Sequence, residues 1–287
     1  MGSQAHVDEG ITATHWPHPL PPEIAALTAG GVWEQVTIGR SGASVFRVAW
    51  PNQARRPALY LKIAPPELHA EMLEEKARLD WLCSLPADAA GSAGRIGAPH
   101  ALAYAVAGSF AYLALTEVAG LMACDAAFAA DGPLVARLLG EGMRQLHAVD
   151  ATRCPFDRCL ERALAQTAER LASGQVDIGA FDDPSSDPAE LLAWLQTHIP
   201  ADEDLVFTHG DYCLPNVLID PRAHRISGFI DWSRAGVADR YQDLALAARS
   251  LAYNVDGDWE AQLWAGYGLA QPDQEKLTFY RLLDEFF

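Results

Sequence analysis

VFTHGDYCLPNVLIDPRAHRISGFIDW, residues 206–232, decides the fold. Three polar residues stand out in an apolar frame: Asp211, Asn216 five positions later, and Asp231 after a second apolar run. Leu205, Val206 and Phe207 precede the first, Val217, Leu218 and Ile219 follow the second, and Phe229 and Ile230 flank the third. Short apolar runs bounded by turn residues read as buried strands. The carboxylates and the carboxamide therefore sit at strand ends and loops, where a rigid scaffold fixes their geometry.

Transfer of a phosphoryl group from a nucleotide needs such a set. One carboxylate orients a hydroxyl and accepts its proton; a carboxamide and a second carboxylate hold Mg²⁺ against the phosphates. Magnesium takes a few protein oxygens and completes its shell with water and phosphate. In this reading Asp211 is the base, and Asn216 and Asp231 are the metal ligands. The order matches the protein-kinase pattern H-R-D-x-x-x-x-N followed by D-F-G, with Gly210 in place of the Arg and Ile230-Asp231-Trp232 in place of D-F-G. Alone, each residue reads as a turn or helix cap; the three in order read as a site. His209 is expected to brace this loop through hydrogen bonds rather than to move protons.

The chain resembles the aminoglycoside 3'-phosphotransferases, the kanamycin and neomycin kinases. The resemblance is carried by LYLK at 59–62, EEKARLDWL at 74–82, EGMRQLHAVD at 141–150, CPFD at 154–157, HGDYCLPN at 209–216, SGFIDWSRAGVADRYQDLALAARS at 227–250 and FYRLLDEFF at 279–287. It covers the chain from about Gly31 to Phe287. HGDxxxxN alone marks the wider small-molecule kinase superfamily; the GVADRYQDLALA segment and the terminal LLDEFF point to the 3'-phosphotransferases. The resemblance implies an α+β, two-lobed protein-kinase-like fold. A small β-rich N-lobe spans residues 1–117, with 1–30 a loosely structured lead-in, and a larger, mainly helical C-lobe spans 118–287, with nucleotide in the cleft.

Elsewhere the residues say less by themselves. Strands are expected at Val36–Ile38, Ser44–Ala49 and Ala58–Ile63, with a small turn, Gly39–Ala43, between the first two. That turn reads equally as a bare hairpin and as a phosphate cover with Ser41 as a donor. Lys62 interrupts the apolar strand LYLKI, and burying its stem calls for a partner for the ammonium. The helix expected over Glu67–Leu85 offers Glu71, Glu74 and Glu75. Spacing does not choose among them; the resemblance selects Glu75, with Lys62 on the phosphates. The resemblance also puts Tyr60 against adenine, and makes Thr116 to Gly120 the hinge, with Thr116 and Val118 at the base edge.

Further on, helices are expected over Asp131–Ala148, Phe156–Ser173, Pro188–Thr197 and Gln274–Phe287. The acidic loop Val176–Asp187 reads as a solvated surface loop; the resemblance makes it an antibiotic-binding loop through Asp182 and Asp183. Arg234 and Arg249 occupy matched positions, and the resemblance places Asp284, Glu285 and Phe287 in the substrate site. Two departures stand out: Tyr253 and Ser250 replace residues that are often acidic in relatives.

Composition narrows the class. Half of the residues are hydrophobic, and the net charge is −17. This acidity disfavours nucleic acid and anionic membranes and suits a cationic substrate such as an aminoglycoside. No apolar run reaches transmembrane length, and the N-terminus lacks a secretory signal pattern. Five irregularly spaced cysteines suit free thiols in a cytoplasmic protein, a monomer or weak dimer. The cofactors implied are ATP, with GTP as the alternative donor, and Mg²⁺. Two other readings remain: a related kinase acting on choline, a sugar or another antibiotic, and an inactive nucleotide- or drug-binding module.

Overall fold

Alternating apolar and polar residues along six short segments build the first of two units. The computed structural model describes residues 11–12, 16–38, 42–53, 55–86 and 97–287. The polypeptide divides into Met1–Ser84 with Ala98–Val118, and Leu85–Gly97 with Ala119–Phe287.

The first unit contains β1 (Ile11–Thr12), α1 (Pro22–Thr28), β2 (Val32–Val36), β3 (Ser44–Ala49), β4 (Leu59–Ala64), α2 (His69–Ser84), β5 (Ala101–Ala107) and β6 (Phe110–Thr116). The strands form one antiparallel sheet in the order β1-β2-β3-β4-β6-β5. Side chains alternate between its faces. On one face Leu59, Leu61 and Ile63 pack with Trp33, Phe46, Val48, Tyr112 and Ile24 of α1. Tyr60 and Lys62 therefore point to the other face, where α2 lies against β5 and β6.

The first long strand runs over Val32–Val36, not Val36–Ile38 as expected. Trp33 is fully buried and packs on Phe46, with ring centroids 5.4 Å apart, which sets the register. Val36 pairs with Val45, and β3 begins at Ser44, so little partner strand remains beyond it. Ile38 is 59% exposed.

The second unit comprises β7 (Leu121–Met122), α3 (Gly132–His147), α4 (Leu160–Ala172), α5 (Pro188–Thr197), β8 (Leu205–Thr208), β9 (Val217–Asp220), β10 (Arg225–Phe229), β11 (Gly236–Asp239), α6 (Tyr241–Asn254), α7 (Glu260–Tyr267) and α8 (Gln274–Asp284). Asp131 starts α3 by accepting the Leu134 amide, and Asp187 starts α5 by accepting that of Ala189, as N-caps do. α3 packs on α7 and α6 on α8. Lys276 of α8 is buried, and its ammonium donates to Asp239 at 3.0 Å, which ties α8 to the end of β11. Two small antiparallel sheets, β10-β9-β7 and β11-β8, carry the polar motif at their ends.

Two expected helices are shorter than their apolar patterns. α4 starts at Leu160 rather than Phe156 because the preceding residues pair with β11: Val237 N–H donates to Phe156 O at 2.7 Å and Arg158 N–H to Val237 O at 2.8 Å. α8 ends at Asp284 rather than Phe287. There Arg170 Nε donates to the Phe286 carbonyl at 2.6 Å and draws the last residues off the helix. The five cysteines are free thiols. Among the described residues no helix is long and apolar enough to cross a membrane.

Candidate active site

β8 and β11 pair with Thr208 opposite Gly236, so the chain leaves β8 at His209-Gly210 alongside Arg234-Ala235. Gly210 has φ +81°, and a Cβ there would lie 2.2 Å from the Arg234 carbonyl oxygen. Only glycine meets both demands. The amides of His209 and Gly210 donate to the two oxygens of Asp243, at 2.7 and 2.8 Å. Asp243 is fully buried in the first turn of α6. Asp211 is thus presented from a loop held on both sides.

The hairpin β9–β10 supplies the other two groups. Val217 pairs with Phe229, and the Ile230 amide donates to the Asn216 carbonyl at 3.0 Å. Asn216 and Asp231 are therefore neighbours although 15 positions separate them in the sequence. The Asn216 carboxamide donates to the Asp211 carboxylate at 2.8 Å and to its carbonyl at 3.0 Å. Asp231 has φ +67°, a conformation that non-glycine residues rarely adopt and that clusters at functional sites. His209 is buried; with Nε2 as the donor it bonds the Ile230 carbonyl at 3.0 Å, the bracing part expected of it.

Burial is the first cause that pushes the Asp211 carboxyl above the usual carboxylate range; the Arg234 guanidinium opposes it, and Asp284 and Asp231 add to it. No group of three or more His, Cys, Asp or Glu positioned for a metal occurs among the described residues. Mg²⁺ does not require one, since two protein oxygens suffice beside water and phosphate. The donor set fits: with its Nδ2 turned to Asp211, the Asn216 amide oxygen is left as an acceptor, and Asp231 follows the Ile230 amide that bonds the Asn216 carbonyl.

In the first unit, Lys62 Nζ meets both oxygens of Glu75, at 2.8 and 2.7 Å, and Glu75 is 2% exposed. Of the three glutamates on α2, Glu75 is the partner. Tyr60 lies on the same face, half-buried, with Arg47 against its hydroxyl and Glu117 bound to Arg47 at 2.7 Å. Thr116 closes β6; its amide donates to the His100 carbonyl and its hydroxyl accepts the His100 amide. Val118 ends the unit. Ser41 lies outside the described residues.

The tail brings several of the expected site residues together. Asp284 is 6% exposed, and its two oxygens are taken by Arg234 and, at 2.9 Å, by Arg249. Both arginines thus converge on one carboxylate at the end of α8. Glu285 is half-buried; burial first, then the Asp182 charge, raises its carboxyl. Asp182 is exposed, 3.6 Å from Arg281. Asp183 is exposed and accepts from the Ser185 amide and hydroxyl, bonds that lower its carboxyl. The Phe287 ring lies 5.1 Å from the Arg234 guanidinium and near Arg158 and Arg170.

Ser250 accepts the Leu214 amide at 2.9 Å, so this departure serves the segment after Asp211. Tyr253 is 80% exposed. The grip of Asp243 on the His209 and Gly210 amides joins residues 34 and 33 positions apart and has no local signature in the sequence.

A profile of the phosphotransferase enzyme family (APH) matches residues 32–280. An aminoglycoside 3'-phosphotransferase of Niallia circulans is 36% identical, over 93% of this chain and 97% of its own. The crystal structure of an aminoglycoside 3'-phosphotransferase of type VIII superposes with a TM-score of 0.78 at 36% identity, covering 92% of this chain and 98% of the other. An aminoglycoside phosphotransferase of the 3'' class from Streptomyces rimosus, in complex with ADP and streptomycin, gives 0.73 at 29% identity, covering 92% and 96%. The β-rich unit and the mainly helical unit are those of the two-lobed kinase-like fold.

Proposed function

We propose that this chain, which belongs to the phosphotransferase enzyme family and within it to the aminoglycoside 3'-phosphotransferases, transfers the γ-phosphoryl group of ATP to the 3'-hydroxyl of cationic aminoglycosides such as kanamycin or neomycin. The observation that carries the reading is the contact between Asn216 and Asp211 with Asp231 beside them. It joins a proton acceptor to two hard oxygen donors.

In this mechanism Asp211 orients the substrate hydroxyl. The hydroxyl oxygen bonds to the γ-phosphorus as the bond to the β–γ bridging oxygen breaks; ADP leaves and the proton passes to the Asp211 carboxylate. Asn216 and Asp231 hold Mg²⁺, which when bound neutralises charge on the phosphates. Lys62, fixed by Glu75, serves the phosphates too. Tyr60, Thr116 and Val118 receive the base, and Ser41 covers phosphate. Asp182, Asp183, Glu285 and Phe287 recognise the substrate, and Arg234 and Arg249 set Asp284 in place for it. Rate enhancement then comes from positioning and preorganised charge. ATP is the donor of this reading and GTP its competitor, and the enzyme works in the cytoplasm as a monomer or weak dimer.

Coupled nucleotide turnover with kanamycin, which carries a 3'-hydroxyl, and tobramycin, which lacks it, tests the proposal. Turnover with kanamycin alone supports it. Turnover with both moves the reaction to another hydroxyl, a second reading favoured by the likeness to the 3''-class structure with streptomycin. Turnover with neither overturns the substrate assignment.

A further inference from the structure

The acidic loop leaves α4 through a glycine ending. Gly174 has φ +69°. The Gln175 amide donates to the Arg170 carbonyl at 2.9 Å, and the Gly174 amide to that of Leu171 at 3.2 Å. This pair of bonds around a left-handed residue is a Schellman motif. It fixes the direction in which Val176–Asp187 departs from the helix. The Arg170 side chain then reaches across that ending. Its Nη2 donates to the Gln175 carbonyl at 3.1 Å and its Nε to the Phe286 carbonyl at 2.6 Å. The guanidinium also lies 5.6 Å from the centre of the Phe287 ring. Two further contacts join the same segments. The buried rings of Phe181 and Phe286 meet edge to face with centroids 5.6 Å apart, and Asp182 lies 3.6 Å from Arg281 of α8.

We propose that Arg170 is a positioning residue for the substrate: it ties the root of the acidic loop to the tail after α8, so that Asp182 and Asp183 on one segment and Glu285 and Phe287 on the other form one preset site for a polycation. This rests on the function proposed above. The physical argument is one of ordering. Asp182, Asp183, Glu285 and Phe287 all lie outside helices and strands. Two such segments, left independent, must both be ordered when a ligand bridges them, and that cost is taken from affinity; a tie made beforehand removes it. A guanidinium suits the task because its planar fork donates in two directions at once, whereas an ammonium is a point donor. Both acceptors are main-chain carbonyls, so the tie does not draw on the carboxylates that meet the substrate.

The test compares Arg170→Met and Arg170→Lys with wild type in the MgATP–kanamycin assay, with thermal melting alongside. Arg170→Met removes both side-chain bonds. Its KM for kanamycin should rise about tenfold, while kcat and KM for ATP stay within about twofold of wild type. Arg170→Lys keeps the stem and a cation that can hold one carbonyl, and it is the arm that must remain folded. Its KM for kanamycin should rise about threefold. An Arg170→Lys with wild-type KM for kanamycin, one no better than a folded Arg170→Met, or a KM for ATP that rises as much as that for kanamycin overturns the proposal. Absence of wild-type turnover would instead count against the proposed function, and the two failures are distinct.

Discussion

The segment around Asp211 and the last turn of the chain hold their carboxylates in opposite ways. Asp211 is met by Asn216, five residues away, and is set by a loop and a hairpin of its own stretch. Asp284 is met by Arg234 and Arg249, which lie 50 and 35 positions away in the sequence. The first carboxylate is left open to a reactant and is pushed up by burial. The second is already neutralised by two cations. Asp284 already holds the protein's own arginines and meets a substrate with its charge offset, while Glu285, next to it, has no arginine clamped to it in this way.

The largest effect expected separates chemistry from stability. Asp211→Asn should lower kcat about 10³-fold, within the range for loss of a general base, and should raise the melting temperature. The sign follows from linkage. A carboxyl raised in the folded state binds more protons there than in the unfolded chain, so stability falls as pH rises from the ordinary carboxylate value through the raised one. The variant should therefore gain most above that window and least below it. A melting temperature that does not rise at neutral pH would contradict the burial argument. Wild-type kcat/KM should lose activity on the acid side at a pH above the usual carboxylate range.

Gly210→Ala comes next. It combines positive φ with a contact against Arg234 O and should lower stability by about 2 kcal/mol or more, read from denaturant melts. In the tail, Asp284→Ala should lower stability by about 1–2 kcal/mol, less than a wholly buried pair because both arginines reach solvent. Glu285→Gln should not lower the melting temperature, since burial raises this carboxyl too, and should raise KM for kanamycin about fivefold. If Glu285 proves the stability residue and Asp284 the KM residue, the contrast between them is reversed. The smallest effect belongs to Asp183→Asn: an unchanged melting temperature and a KM for kanamycin raised about twofold, since its carboxylate is exposed.

The same contrast explains what the sequence disclosed. The HGDxxxxN spacing was legible because a strand, a loop and a hairpin place those groups by local geometry. Lys62 was legible as a cation in an apolar strand, but Glu75 could not be told from Glu71 and Glu74, because which turn of α2 faces β4 depends on packing. The start of α4 and the end of α8 were overrun by apolar periodicity; a pairing with β11 and a bond from Arg170 end them, and neither partner is near in sequence. Asp243 stayed unseen for the same reason: it sits at a helix start, where titratable residues are ordinary.

Helix α6 carries Asp243 in its first turn and Arg249 and Ser250 about two turns further on. Its start grips the amides before Asp211; the later pair grips Asp284 and the Leu214 amide after Asp211. These grips are spaced by about 9 Å of rigid helix. One inserted residue would swing the far end by about 100° and unhook one set from the other. Insertions and deletions in natural relatives should therefore collect in loops such as Val176–Asp187 and spare the interval between Asp243 and Ser250, which makes α6 a gauge of length as well as a support.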